Sequence, residues 1–300
     1  MAFNPRSWAK VVPRIIHRGA SSANRLLGRD TAGRNFEVFA DDSFIVSYPR
    51  SGSTWLRFLV GNLIARNEPI CFRNVERVIP DVHVNSMRYI NGITRPRLLK
   101  SHEYFDPRYQ RVVYLVRDPR DVAVSYYRYH RKVRVLADDY PMQRFVATFL
   151  MGEPTPWGSW AENVASWLSM RQATDDFLLL RYEDLLDNPI QELSKTAIFL
   201  GIQSTVQELA RSVELSSAEK MRALEISEGD QWLTIKGSRK EIPFVGAAIS
   251  GSWKMVLEHD AVSAIEFAWG DLMKQLGYAL SICSGKVQPR QQSLGFGDSA

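Results

Sequence analysis

Residues 44–55 read Phe44-Ile45-Val46-Ser47-Tyr48-Pro49-Arg50-Ser51-Gly52-Ser53-Thr54-Trp55, and this stretch decides the fold. A short apolar run ends at Tyr-Pro, breaks into a turn of small residues carrying one cation, and reopens as an amphipathic helix. The backbone N–H groups of such a turn, with the positive end of the following helix, form a cradle for phosphate or sulfate. Arg50 adds a full positive charge where the anion would sit, and Ser51, Ser53 and Thr54 add hydroxyl donors. One glycine, Gly52, is present and the basic residue comes first, so the nucleotide loop G-x-x-x-x-G-K-[ST] is not matched. On this segment alone, an ordinary strand–turn–helix stays open as the alternative.

A second segment repeats the logic. Residues 111–116, Arg111-Val112-Val113-Tyr114-Leu115-Val116, form a buried-strand pattern that runs into Arg117-Asp118-Pro119-Arg120-Asp121-Val122-Ala123-Val124-Ser125. Asp118 suits a helix N-cap, Pro119 the first helical position, and Asp121 complements the helix dipole. Arg117 at the strand end and Ser125 about two turns into the helix then converge on one anion. The competing reading is a plain βα unit with a surface arginine.

Outward from these two segments the chain alternates strand and helix. Strands are expected at 43–48, 97–102, 111–116 and 177–182, and helices at 54–66, 121–132, 160–170 and 189–200. This predicts an α/β fold, a single P-loop-like domain with a central parallel sheet flanked by helices. The expected organisation is a basic N-terminal leader at 1–36, the domain at 37–283, and a flexible Gly-, Ser- and Gln-rich tail at 284–300. Residues 152–158 read as a loop over the ligand-bearing edge of the sheet, where open α/β sheets bind ligands.

Composition narrows the function classes. The chain has 300 residues, 45% hydrophobic and 24% charged, with a net charge of +5. That excess suits a polyanionic cofactor or an acidic partner and is too dispersed to mark nucleic-acid binding. Cys71 and Cys283 are the only cysteines, without zinc-ligand spacing, and read as reduced thiols of a cytoplasmic protein with no metal. No run approaches the roughly 18 apolar residues of a membrane span. Arg6, Lys10, Arg14, Arg18, Arg25 and Arg29 face only Asp30 in the first thirty residues, without the apolar core of a secretory signal. A solvated leader and a basic amphipathic helix touching a membrane surface peripherally both fit this segment.

Taken together, the segments resemble sulfotransferases that use 3′-phosphoadenosine 5′-phosphosulfate (PAPS), in the soluble, bacterial-type form of the domain. Besides the two loops, the resemblance includes Leu99-Lys100-Ser101-His102, Arg181-Tyr182-Glu183-Asp184-Leu185 with Asn188-Pro189, Ile249-Ser250-Gly251-Ser252-Trp253-Lys254, and Leu276-Gly277-Tyr278. It spans residues 43–280 and lacks the type II membrane anchor of Golgi carbohydrate sulfotransferases. It implies transfer of a sulfuryl group from PAPS, leaving the nucleotide 3′-phosphoadenosine 5′-phosphate (PAP), to a hydroxyl. Arg50, Ser51, Gly52, Ser53 and Thr54 would hold the 5′-phosphosulfate, Arg117 and Ser125 the 3′-phosphate, and Trp55, Tyr182 and Ser216 the adenosine. His102 would be the general base, an imidazole titrating near neutral pH. Lys100, two residues before it on the same strand face, and Arg50 would neutralise charge on the transferred group. A loop histidine without a task is the bland alternative for His102, and Glu103 an alternative base. His17, His83, His130 and His259 have no comparable context.

Two departures stand out. Ala218 takes the place of a second stacking aromatic, and Gly246-Ala247-Ala248 the place of an Arg-Lys-Gly that grips the 3′-phosphate. A displaced contact from Arg239, Lys240 or Lys254 is the expected substitute. Segments 68–96 and 134–160 are expected to line the pocket of a small-molecule, carbohydrate or lipid acceptor. The rival functions are a non-catalytic nucleotide-binding protein of the same fold and an ATP-dependent P-loop kinase, the latter without its G-K-[ST] ending.

Overall fold

A computed structural model describes residues 30–281. The leader reading for residues 1–29, the tail at 284–300 and Cys283 lie outside the described residues. Residues 30–36, expected in the leader, are packed on the domain: Ala32 and Phe36 are 0% and 3% exposed, and the Ala32 and Gly33 N–H groups donate to Asn85 and Val82 carbonyls.

Four strands form one sheet: β1 (Ser43–Ser47), β2 (Leu98–Ser101), β3 (Arg111–Val116) and β4 (Phe177–Arg181). All pair in parallel, in the order β2-β1-β3-β4. Both faces are buried, which is why each strand reads as a nearly unbroken apolar run. Phe44, Val46, Val112, Tyr114 and Val116 point into one core, and Ile45, Val113, Leu115 and Leu180 into the other, as the pleat's period of two requires.

The helices are α1 (Ser53–Ile64), α2 (Val75–Val78), α3 (Met87–Asn91), α4 (Pro119–Lys132), α5 (Met142–Leu150), α6 (Trp160–Arg171), α7 (Tyr182–Asp187), α8 (Pro189–Phe199), α9 (Val206–Leu215), α10 (Ala218–Glu228) and α11 (His259–Gln275). Helix α1 packs Leu56, Leu59, Val60 and Leu63 against the second face with α8 and α9. Helices α4, α5, α6 and α11 cover the first. Asp118 caps α4 by accepting from the Arg120 N–H at 2.9 Å, with Pro119 at the first position, as the sequence predicts. A Ser159–Glu162 capping box starts α6. A third core around Phe58, Phe72, Trp232 and Phe244 seats the long segment 229–245 beside α1 and α10. No helix among the described residues is long and apolar enough to cross a membrane.

Candidate active site

The carboxyl ends of β1, β2, β3 and β4 run into Tyr48, His102, Arg117 and Tyr182, so the polar segments share one edge of the sheet. In the turn after β1, Arg50 and Gly52 have φ of 67° and 105°. Gly52 is the N-cap of α1, and among the described residues no side chain caps that end. A Cβ on Gly52 would stand 2.6 Å from the Tyr182 ring, so close approach and backbone conformation both demand glycine here. The first-turn N–H groups of α1 therefore point outward without a side-chain acceptor. The buried Ser51 hydroxyl also has no hydrogen-bond partner among the described residues. Buried polar groups are rarely left this way, and here donors gather at the positive end of a helix.

Two guanidinium groups meet over this turn. Arg50 Nε donates to Ser125 Oγ at 3.2 Å and its Nη2 to the Phe244 carbonyl at 3.2 Å. Its guanidinium lies 4.4 Å from the Phe244 ring centre and 5.0 Å from that of Tyr129. Arg117 Nη1 donates to the Arg50 carbonyl at 3.5 Å and its guanidinium lies 4.2 Å over the Tyr182 ring. Arg117 meets a carboxylate only at 4.0 Å, from Asp121, and Arg50 has no ion pair among the described residues. Burial lowers Arg50 to about 10, with Arg117 pushing the same way, so it stays charged at neutral pH. Adjacent cations short of counter-charge make an anion site.

Trp55, Tyr182 and Ser216 stand together beside the turn. The Trp55 indole N–H donates to the Ser216 carbonyl at 3.1 Å, and its ring meets Tyr182 edge-on at 5.6 Å. Ser216 is fully buried, and its hydroxyl accepts from Asn62 at 3.1 Å. Ala218 opens α10. Of the cations expected to substitute, Arg239 pairs with Asp138 and Glu241, Lys240 Nζ with Asp230 at 2.6 Å, and the Lys254 ammonium lies 5.7 Å from the Trp253 ring centre. Arg222 also reaches the 246–248 strip, its Nη2 donating to the Gly246 carbonyl at 2.7 Å. The following residues are fixed by Asp121, which accepts from Gly251 N–H at 2.7 Å, Ser252 Oγ at 2.8 Å and Trp253 N–H at 3.0 Å.

His102 is held from three sides. Its Nδ1 lies 2.6 Å from the Ser47 carbonyl, which only accepts, so Nδ1 carries the proton and Nε2 is the basic nitrogen. Its N–H donates to His83 Nε2 at 3.0 Å, and its carbonyl accepts from Asn163 Nδ2 at 3.0 Å. Burial, then the nearby Lys100 ammonium, holds the imidazole well below its usual value, so it is neutral at neutral pH. Trp157 lies against both imidazoles, 5.0 Å from the His102 ring centre and 4.7 Å from that of His83. The Glu103 carboxylate instead faces Arg34 at 3.8 Å and the Trp157 indole. Among the described residues, no group of three or more His, Cys, Asp or Glu is arranged to hold a metal ion.

Lys100 is 4% exposed, and its Nζ donates to Asp81 Oδ2 at 2.6 Å, so its charge is already paired within the fold. Burial raises the Asp81 carboxyl, but Lys100, followed by His102, His83 and Arg57, more than reverses this and holds it below the usual carboxylate range. Sequence reasoning missed Asp81 and set His83 aside. Both lie in an irregular stretch without periodicity, and only its pairing with the edge of β2 reveals them.

The Sulfotransferase domain family model matches residues 40–277. Sulfotransferase 1E1 of Bos taurus is 30% identical over 237 residues, covering 73% of this chain and 79% of its own. The 3-beta-hydroxysteroid sulfotransferase of Cavia porcellus is 30% identical over 235 residues, with the same coverage of 73% and 79%. Among solved structures, retinol dehydratase in complex with androsterone and the inactive cofactor PAP shares the fold, with a TM-score of 0.68 at 21% identity over 80% of this chain and 82% of that one. A mouse sulfotransferase complexed with PAP gives a TM-score of 0.64 at 22% identity, covering 80% and 86%. With the family model spanning residues 40–277 and relatives 30% identical over 73% of its length, the chain belongs to the sulfotransferase family.

Proposed function

We propose that this sulfotransferase moves a sulfuryl group from PAPS to a hydroxyl of a small-molecule, carbohydrate or lipid acceptor, with His102 as general base. One observation carries the reading: Arg50, Arg117 and Ser125 converge beside the uncapped start of α1, with the Ser51 hydroxyl unpartnered among the described residues. The residues fit the cofactor at that point, because Gly52 leaves a cradle that any Cβ would close. When bound, PAPS supplies an activated sulfuryl group and a nucleotide leaving group.

The chain's own residues then divide the work. Arg50 with Ser51, Gly52, Ser53 and Thr54 binds the 5′ side, Arg117 and Ser125 the 3′-phosphate, and Trp55, Tyr182 and Ser216 the adenosine. Arg50 already touches Ser125, so one cation serves both sides of the turn. His102 takes the acceptor proton at Nε2, since Nδ1 is committed to the Ser47 carbonyl. Segments 68–96 and 134–160 supply His83 and Trp157 beside His102, which supports their reading as acceptor walls. Cytoplasmic residence belongs to the same reading.

The test is calorimetric titration with PAP and with ATP, followed by an acceptor screen with isotopically labelled PAPS read by mass. The expected result is PAP binding at least tenfold tighter than ATP, with label on a hydroxyl acceptor. ATP-selective binding would point to the kinase instead. Tight PAP binding with no labelled product from any acceptor would favour a non-catalytic protein.

A further inference from the structure

The Asp81–Lys100 pair is a buried charge pair beside His102 that binding the donor does not explain. Asp81 and Lys100 are 7% and 4% exposed, and a buried ion pair often stabilises a fold no better than apolar side chains of the same volume. The pair is nevertheless carefully supported. Lys100 N–H donates to the Pro80 carbonyl at 2.8 Å and Val82 N–H to the Lys100 carbonyl at 3.0 Å, so residues 80–82 form an extra rung on the edge of β2. His83 extends that rung by accepting from the His102 N–H. Asp81 N–H donates to Glu76 Oε2 at 2.8 Å, and Glu76 is in turn paired with the buried Arg57 of α1 at 2.8 Å.

We propose that Asp81 is a positioning residue for proton transfer, supplying through its carboxylate the counter-charge that lets His102 hold a second proton beside the Lys100 ammonium. The inference rests on His102 being the base. As Nε2 accepts the acceptor's proton, the ring becomes an imidazolium. Its Nδ1–H is already on the Ser47 carbonyl, so no new hydrogen bond absorbs the charge. Lys100 and His83 oppose that charge, and the Asp81 carboxylate favours it. Asp81 is itself faced by Lys100, His102, His83 and Arg57, with Glu76 on its backbone N–H. With Asp81 in place, Lys100 and Asp81 form a neutral unit, and the imidazolium gains a partner without a neighbouring net positive charge.

The test is an imidazole titration by nuclear magnetic resonance on the full chain labelled with nitrogen-15 histidine, free of nucleotide. His102→Ala identifies the signal. In Lys100→Met the His102 midpoint should rise into the measurable range, and in Lys100→Met/Asp81→Asn it should fall back by about one pH unit, the scale of a nearby charge. Lys100→Met/Asp81→Glu should keep the Lys100→Met midpoint, which separates charge from side-chain shape. Equal midpoints in the single and double variants would overturn the proposal, as would a His102 that stays neutral throughout in Lys100→Met. A His102→Ala protein that still sulfates its acceptor would remove the base assignment instead, leaving the titration result standing.

Discussion

The two halves of the site handle charge in opposite ways. At the turn after β1, Arg50 and Arg117 sit together with a single carboxylate at 4.0 Å, and the Ser51 hydroxyl has no partner among the described residues. At the end of β2, Lys100 is matched by Asp81 at 2.6 Å, and the His102 N–H, carbonyl and Nδ1 are all bonded. The first half keeps a deficit that an outside anion can fill. The second is already balanced, with His102 Nε2 left outside its hydrogen bonds. Under the proposed function, binding energy and proton chemistry come from separate devices, and substitutions should separate them too.

The widest separation is expected from His102→Ala. Turnover on the true acceptor should fall by about 10²–10⁴, the range for a positioned general base, while PAP affinity stays within threefold of wild type. Steady-state rates beside a PAP titration check this, and a comparable loss of PAP affinity would break the comparison. The acid limb of the rate profile has a definite sign. Burial and Lys100 depress the imidazole, so rate should rise with pH only well below the ordinary histidine range and stay flat above it. Next in size are Arg117→Ala and Ser125→Ala. Each should weaken PAP by roughly 1.5–3 kcal/mol, the scale of a hydrogen bond to a charged group, and scarcely change binding of adenosine 5′-phosphosulfate, which lacks the 3′-phosphate. Equal losses for both nucleotides would show that the turn does not distinguish the two phosphates.

The smallest effect concerns a histidine outside both devices. His130 is 8% exposed and burial lowers it to about 4 from 6.5. Between those values the unfolded chain binds the proton that the folded chain refuses, so folding stability falls as pH drops through this window. His130→Phe should remove about 1 kcal/mol of the loss between pH 7 and pH 5.5, an estimate from linkage. Urea unfolding at the two pH values measures it; an unchanged difference would mean that His130 titrates normally.

What the sequence could show follows from how local each feature is. The anion-binding turn and the capped helix after β3 are contiguous: an apolar run, a small-residue break, then an N-cap with proline. Gly52 is visible as a turn glycine, but its collision partner, Tyr182, comes from a distant strand end. His102 is legible by resemblance, whereas Asp81 and His83 act through an irregular segment laid along β2. Arg239 and Lys240 lie near Gly246 in sequence, and their ion pairs with Asp138, Glu241 and Asp230 are a charge pairing no spacing reveals. Helices α9, α10 and α11, within residues 206–228 and 259–275, carry no motif and follow only from mixed apolar periodicity.

Trp157 carries a consequence for economy of the donor. An imidazole able to relieve an alcohol of its proton can do the same to water, and each such event would waste an activated sulfuryl group. The indole lies against the rings of both His102 and His83, while Tyr48 Oη donates to the Gly158 carbonyl and ties the same loop to the anion-binding turn. Under the proposed function, an indole fixed at that point takes space beside the base that water would otherwise fill, so a wall as well as the choice of acceptor would restrain loss of the donor to hydrolysis.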